Sequence, residues 1–272
     1  MLADLLALTV PHEDIDEVLA LSRTVDRRLL EPHVSSLLEH MGSFERPPRL
    51  EPLPGRHPLF YVMVFLEVLP HVREYHRAHG ISETDSRVIL ADLGRHLAGH
   101  RRRSGRPGLD PPNWLNFAFR GMIYQLGRLQ FERVPLGEQM SLSMTALGSP
   151  CAPTDLALSV HIPDFCGPLE PEAVGDALHL AAGFFERHFP SERYDFAICH
   201  SWLLGPQLDE HLPRESNIMR FQRRFTPAYA TENNETFLRF VCPDTRLYAI
   251  VEERIAHGES WLAGSGFLRL GQ

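Results

Sequence analysis

The sequence predicts an α/β protein in which an all-helical first half is followed by a half that combines strands and helices. Two observations support this prediction. In the first half, apolar residues recur at three- and four-residue spacing, which is typical of amphipathic helices. In the second half, residues 156–202 show a strand pattern, a tight turn, a helical pattern and a second strand pattern, in that order.

The helical half contains several segments with a clear helical period. Apolar residues at helical spacing cover 14–22 and 25–40, and a longer pattern covers 59–79. A Ser-Glu-Thr-Asp stretch that resembles a capping box then begins a helix over 82–97. Together these segments predict a helical domain with its own core.

The loop 101–112 marks the expected end of this domain. It combines four arginines with glycines and prolines, a composition that favours an exposed connection over a helix or a strand. We therefore expect a helical domain over residues 1–110 and a second domain over residues 111–272. An ordered basic lip over a ligand is the alternative interpretation of the same arginines.

The second half is organised around a strand–helix–strand unit. Residues 156–162 alternate large apolar with small or polar side chains, residues 171–188 repeat at helical spacing, and 194–200 again show a strand pattern. Strands joined by a helix normally run parallel, so the helix begins at the carboxyl end of the first strand. Its free N–H groups favour an anion at that point, typically a phosphate.

The remaining segments complete the expected order of elements. We expect helices over 113–125, 216–225 and 244–257, with a strand as the open alternative for 216–225. Alternating patterns predict strands over 126–134, 139–145, 236–242 and 261–270.

The composition limits the classes of partner. A net charge of −8 argues against broad nucleic-acid binding, which needs a basic surface, and the absence of lysine excludes a Schiff base. The four cysteines form no CxxC pair, which fits a reducing cytosol. The start of the chain is a poor signal peptide, and the apolar segment 59–69 is too short to span a bilayer. We therefore expect a cytoplasmic protein that binds neither nucleic acid nor a membrane.

The ends of the two predicted parallel strands carry the residues best suited to acid–base chemistry. His161 lies near the carboxyl end of the first strand and His200 near the end of the second, in the crevice where open α/β sheets bind ligands. Each is a candidate base, and the alternative for each is a structural, hydrogen-bonded histidine. Asp164 either orients His161 or caps the turn. Ser201 and His200 point to opposite faces of a strand, which argues against a hydrolase dyad.

Three further groups have both a functional and a structural interpretation. Cys166, in the turn before the helix, is either a nucleophile or a small buried side chain. Arg220 and Arg224 share a face if 216–225 is helical, and they either bind phosphates or remain solvated. His96 and His100 have the spacing of a metal pair, but no third ligand is evident, so we favour a structural pair and expect no metal.

Several runs of the second half are distinctive as sequences. They are 124–131 (YQLGRLQF), 161–164 (HIPD), 199–204 (CHSWLL), 216–218 (SNI) and 220–225 (RFQRRF). With these runs, the second half resembles the C-terminal domain of a bacterial group described as GNAT-like acyltransferases. The helical half resembles the N-terminal domain that accompanies it, so the resemblance covers nearly the whole chain.

This resemblance implies a GNAT-like mixed sheet flanked by helices, with acetyl-CoA or another acyl-CoA as co-substrate. The strand 156–162 would bind the acyl-pantetheine arm, and the loop 164–169 would hold the pyrophosphate of CoA at the N-terminus of the next helix. The residues that the resemblance assigns to CoA binding are Ile162, Phe165, Cys166, Gly167, Leu169, Asn217, Arg220 and Arg224.

The chain departs from the GNAT pattern at two points. The usual pyrophosphate signature, Arg/Gln-x-x-Gly-x-Gly/Ala, is reduced to Cys166-Gly167-Pro168, and Pro168 has no N–H to donate. Gln222 stands where many members have a tyrosine that protonates the departing thiolate.

These observations lead to a first hypothesis of an acyl-CoA-dependent N-acyltransferase. An amine, expected to be a small molecule, would attack the thioester directly, with His161, His200 and Asp164 as the catalytic candidates and the helical domain shaping the acceptor pocket. The alternative is a catalytically inactive GNAT-like binding or scaffold protein, which the two departures favour. A cysteine- or histidine-dependent acyl hydrolase is a third hypothesis.

Overall fold

The computed structural model describes residues 1–109, 112–164, 166–241 and 243–271. The chain divides into two compact units. The helical unit comprises Met1–Leu126 and Pro163–Cys166, and the sheet unit comprises Gly127–Ile162 and Gly167–Gln272. The domain boundary after residue 110, which the loop composition suggests, stays a prediction.

The helical unit is built around one long apolar helix. Its helices are α1 (Leu2–Ala7), α2 (His12–Thr24), α3 (Arg27–Glu39), α4 (Phe60–Ala78), α5 (Glu83–Leu90), α6 (Asp92–Ser104) and α7 (Leu115–Phe119), followed by the strand β1 (Ile123–Leu126). Every residue of α4 from Phe60 to Phe65 is buried, because neighbouring helices cover this segment on all sides. The capping prediction at Ser82 is confirmed, since its Oγ accepts a hydrogen bond from Asp85 N.

A buried arginine holds the loop after α3 in place. Arg120 is 2% exposed, and its Nη1 donates to the carbonyl oxygens of His40, Ser43 and Glu45 at 3.0–3.2 Å. Its Nε donates to Asn116 Oδ1 at 2.6 Å. The guanidinium therefore donates hydrogen bonds to carbonyl oxygens of residues 40–45, a segment that belongs to neither a helix nor a strand.

The strands form a mixed sheet in the order β1-β2-β3-β4-β6-β5. The strands after β1 are β2 (Leu129–Pro135), β3 (Leu156–His161), β4 (Phe196–Ser201), β5 (Thr226–Glu232) and β6 (Leu262–Arg269). β3 and β4 are parallel, whereas β2–β3, β4–β6 and β5–β6 are antiparallel. The predicted strand–helix–strand unit with parallel strands is thus confirmed, and so is the predicted α/β class with a helical N-terminal part.

The sheet unit contains the helices α8 (Glu138–Ala146), α9 (Pro171–His188), α10 (Asn217–Gln222), α11 (Asn234–Phe240) and α12 (Arg246–Ala256). The prediction of a strand over 139–145 is wrong. Met140 and Met144 are buried one helical turn apart, while Leu142 between them is largely exposed, so the apparent alternation belongs to one helix face.

Other predicted elements also differ from the structure. The helix expected over 82–97 is divided into α5 and α6, and α6 continues through residues 101–104, which were expected to belong to the loop 101–112. Residues 113–125 form short helical segments followed by β1, not one helix. Residues 236–241 belong to or follow α11 and are not a strand, and Cys242 lies outside the described residues. β5 was not expected, because this edge strand contains Pro227 and is mostly exposed, so it lacks the apolar alternation of a half-buried strand.

No helix in the described parts of the chain combines the length and the apolar character that crossing a membrane requires.

Candidate active site

The two parallel strands separate toward their carboxyl ends. Over the described residues, β3 and β4 are paired only at Leu158↔Ala197 and Ser159↔Ile198. Beyond that point β2 still holds β3 as far as His161, and β6 still holds β4 as far as Ser201. β3 thus stays paired with β2 and β4 stays paired with β6, whereas the pairing between β3 and β4 ends. The sheet therefore opens between β3 and β4 at the level of His161 and His200.

One face of the sheet is polar at this opening and apolar away from it. Cross-strand partners share a face, so the register places Glu132, Ser159 and His161 on the same side as His200 and Ser265. On that side, toward the other end of the strands, Ala157, Ile198 and Phe267 pack in a cluster with Met140 and Met144 of α8. The polar residues therefore lie where the apolar cover of α8 ends.

His161 is hydrogen-bonded to a carboxylate of the neighbouring strand. Its Nε2 lies 2.9 Å from Glu132 Oε2, and both side chains are partly buried. Gln130 lies directly opposite His161 in the register, is 2% exposed, and has no hydrogen-bond partner for its Oε1 within the described structure. A buried acceptor of this kind calls for a donor from a water molecule or a ligand.

His200 has a different environment. Its Nδ1 lies 2.7 Å from the Oγ of buried Ser265, and partial desolvation of the ring lowers its pKa from the ordinary value. With the proton on Nδ1, the imidazole donates to Ser265 Oγ, and Nε2 carries the lone pair. A lowered pKa keeps this ring neutral near pH 7, the form that accepts a proton. Ser201 Oγ instead accepts a hydrogen bond from Leu203 N.

The helix α9 begins after the carboxyl end of β3, as predicted. Glu170 precedes it without a side-chain hydrogen bond to the helix, and Pro171 occupies its first position. The backbone N–H groups of Glu172 and Ala173 belong to the first turn, where a helix has no internal acceptor. The first intrahelical bond runs from Val174 N to Glu170 O. The N-terminus of α9 therefore has the electrostatic character of an anion site.

Two arginines reach this helix terminus. Arg128, in the turn between β1 and β2, donates from Nε to Pro168 O at 3.2 Å. Arg224 donates to Pro171 O, and its guanidinium lies against Gly175, where a Cβ would be 3.6 Å from Nη2. Arg224 was singled out in the sequence, but Arg128 was not. Their positive charges add to the positive end of the helix dipole.

The loop between β3 and α9 contains most of the residues that the resemblance assigns to CoA. Ile162 is partly buried, Leu169 is buried, and Gly167 has a φ of 81°, the left-handed conformation that glycine adopts without strain. Asp164 and Cys166 belong to the helical unit, and Cys166 is a free thiol. Phe165 lies outside the described residues. The functional assignments of these residues stay predictions.

The segment around α10 corrects one expectation and leaves others untested. α10 ends at Gln222, so Arg224 is outside the helix and does not share a helical face with Arg220. Arg220 pairs with Glu215 at 2.8 Å, and Asn217 is the first residue of α10 behind the cap Ser216. Gln222 Nε2 donates to Gly205 O at 2.9 Å, which gives this side chain a structural bond.

The two histidines of α6, His96 and His100, both lie against other groups of the protein. His96 Nε2 lies 3.6 Å from Asp92 Oδ2, and the ring of His100 lies against Gly108, where a Cβ would come within 2.5 Å of Nε2. Across the described ranges, no group of three or more His, Cys, Asp or Glu side chains is arranged to hold a metal ion.

Some residues at the opening were missed from the sequence. Glu132 and Gln130 alternate with buried Leu129 and Phe131, so the strand pattern itself was visible. What could not be seen is that this strand pairs with β3 in the register that places Glu132 beside His161. Ser265 was hidden for the same reason, because its position opposite His200 depends on the antiparallel pairing of β4 and β6.

A fold of this kind, with a helical unit before a mixed sheet that opens between two parallel strands, defines the chain as a GNAT-like protein. The comparisons agree over nearly its whole length. Residues 2–121 match the N-acyltransferase N-terminal domain, and residues 123–268 match the GNAT-like C-terminal domain. The chain belongs to this family, and the resemblance seen in the sequence is confirmed.

Solved structures of high similarity are acyltransferases in complex with CoA derivatives. One, in complex with decanoyl-CoA and teicoplanin, is 31% identical with a TM-score of 0.85, and the match covers 98% of this chain and 86% of the other. Another, in complex with CoA and 10C-teicoplanin, is 30% identical with the same TM-score and coverage. A mutant acyltransferase in complex with octanoyl-CoA matches equally well at 30% identity. A search of curated proteins found no match.

Proposed function

We propose that this protein transfers an acyl group from an acyl-CoA thioester to an amine of a small molecule. The observation that carries the proposal is the opening between β3 and β4, with His161 and His200 at its level, in a chain whose similar structures bind acyl-CoA. The acyltransferases with teicoplanin bound support a small-molecule acceptor, because this chain matches them over 98% of its length.

The residues at the start of α9 fit the phosphates of CoA. The GNAT signature is incomplete here, and Pro168 supplies no N–H, so fewer backbone donors are available. Arg128 and Arg224 stand at the same helix terminus and bring charged donors instead. Guanidinium groups bind phosphate oxygens with geometry and charge that backbone amides alone do not provide. We propose that these two arginines replace part of the missing signature.

The chemical step needs a base for the amine and a held thioester. As the amine nitrogen bonds to the thioester carbon, the carbon–sulfur bond breaks, CoA leaves as the thiolate, and the amine loses a proton to a histidine. His200 Nε2 and His161 are the two candidate bases at the opening. The side chain of Gln222 is tied to Gly205 O and has no proton to give a thiolate at neutral pH, so direct departure of the thiolate fits this chain.

The proposal is tested by binding and turnover with octanoyl-CoA and decanoyl-CoA. Calorimetry should detect binding of both, and teicoplanin should accelerate release of the free CoA thiol, with an amide product of the expected mass. Replacement of His161 or His200 by alanine should slow turnover about 100-fold without abolishing binding. Full turnover in both variants would remove the histidines from the mechanism.

The anion site is tested separately with arginine variants. Arg128→Gln and Arg224→Gln should each raise the Kd for CoA about tenfold, because each loses a charge-assisted hydrogen bond to phosphate. Arg193→Gln is the matched control, since Arg193 is exposed in the same unit and pairs with Asp195. Equal affinities in all three variants would contradict the assignment of the phosphates to this helix terminus.

The alternative is a GNAT-like binding protein without activity. The incomplete pyrophosphate loop and the structural bond of Gln222 favour it. It predicts binding of CoA or another anion with no release of thiol in the presence of any amine, including teicoplanin. Absence of binding across the acyl-CoA series would reject the acyltransferase and favour this alternative.

A further inference from the structure

We propose that Glu132 is a positioning residue for His161, which orients the imidazole and fixes the tautomer in which it acts. This inference rests on the proposed acyl transfer for its effect on rate, but its geometric part can be measured without any substrate. It assigns a role to a residue of β2, a strand in which the sequence indicated no catalytic candidate.

The pairing of β2 and β3 brings the two side chains together. Glu132 is directly opposite Ser159, and His161 is the next residue of β3 on the same face. A diagonal pair of this kind is within reach for long side chains, and the Oε2 to Nε2 distance is 2.9 Å. Because both residues are on paired strands, their backbones are held by the sheet and not by a loop.

The environment makes this contact stronger than one at an open surface. The Glu132 side chain is 12% exposed and that of His161 is 25% exposed, so water screens the pair only in part. A carboxylate that loses most of its water needs hydrogen-bond donors in exchange, and the Nε2–H of His161 is one. The pair is therefore a fixed feature of the face at which the sheet opens.

The bond decides which nitrogen carries the proton. A carboxylate only accepts hydrogen bonds, so the neutral ring donates Nε2–H to Glu132, and its lone pair is on Nδ1. His200 lacks such a partner, because its Nδ1 is paired with the neutral hydroxyl of Ser265. The two histidines are thus in chemically different environments, and the carboxylate orients His161 alone.

The first test is spectroscopic and needs no substrate. Nitrogen-15 spectra of the His161 ring, assigned by comparison with His161→Gln, should show a single Nε2-protonated tautomer at pH 8. In Glu132→Leu the ring should show exchange-averaged shifts of two tautomers. An unchanged single tautomer in Glu132→Leu would overturn the inference, whether or not the protein transfers acyl groups.

The second test separates positioning from folding. Glu132→Gln keeps an acceptor oxygen without the charge, so kcat should fall about tenfold, and Glu132→Leu should lower it about 100-fold. The KM for decanoyl-CoA and the melting temperature should stay close to those of the parent in Glu132→Gln. Glu186→Gln, an exposed change on α9, is the control and should leave kcat unchanged.

The outcomes distinguish this inference from the proposed function. If the parent protein binds no acyl-CoA, the proposed function fails, and the tautomer measurement still decides the role of Glu132. If the parent turns over and Glu132→Leu retains its kcat, the positioning role fails, and the acyltransferase proposal stands.

Discussion

Mild acid is expected to destabilise the helical unit through His76, a histidine of α4 that has no exposed surface. Its Nδ1 is 2.8 Å from Ser86 Oγ, and its Nε2 is buried without a hydrogen-bond partner in the described structure. Burial, with a smaller contribution from the charge of His79, lowers the pKa of His76 to about 4 from 6.5. A proton on this ring would therefore create a buried charge whose Nε2–H has no acceptor.

The sign and size follow from the two pKa values. The unfolded chain binds the proton below about pH 6.5 and the folded chain only near pH 4, so the free energy of unfolding falls as the pH falls through that window. The full difference corresponds to about 3 kcal/mol, of which about 2 kcal/mol is lost at pH 5 relative to pH 8. Above pH 7 the residue makes no pH-dependent contribution.

The assay is urea unfolding at pH 5 and pH 8, followed by the helical circular dichroism signal, for the parent and for His76→Asn. Asparagine can replace the bond of Nδ1 to Ser86 but does not titrate, so the variant should lose about 2 kcal/mol less than the parent between the two pH values. His71→Asn, an exposed change on the same helix, should behave like the parent. An equal loss in His76→Asn and the parent would refute the reasoning.

Three substitutions test buried hydrogen bonds, close packing and helix propensity, each by urea unfolding and calorimetry. Arg120→Met should lower the free energy of unfolding by about 3 kcal/mol, because it removes the guanidinium that satisfies the carbonyl groups of the loop 40–45. Gly94→Ala should cost at least about 2 kcal/mol, since a Cβ would lie 2.1 Å from Thr9 O, and an unchanged melting temperature would contradict the close approach. Gly183→Ala should instead stabilise the protein by about 1 kcal/mol, because this exposed position in α9 has no neighbour within 4 Å of a Cβ.

The strand–helix–strand unit was predictable because its signals are local. The alternation in β3, the helical period of α9 and the proline at its first position are each contained in a few consecutive residues. These patterns also indicated that the helix begins at the carboxyl end of a parallel strand, since a crossover of this length allows little else. His161 and His200 could be selected for the same reason, as polar residues at two neighbouring strand ends.

The errors have a common physical cause. Over a segment as short as 139–145, a strand period of two and a helical period are hard to distinguish. The segment forms the helix α8, whose Met140 and Met144 are buried against the sheet. β5 gave no signal, because an edge strand with exposed side chains needs no apolar alternation. In both cases the tertiary surroundings, not the local pattern, determined the conformation.

The sequence by itself determined the helical first half, the parallel strand pair and the family to which the chain belongs, because periodicity and short motifs can be recognised without knowledge of tertiary contacts. Only the tertiary structure decided that Glu132 lies at His161, that Ser265 lies at His200, and that Arg128 and Arg224 meet at the start of α9. Each of these contacts depends on strand register or on segments 40 or more residues apart, and a change of register by one residue would turn the strand's side chains to the other face of the sheet.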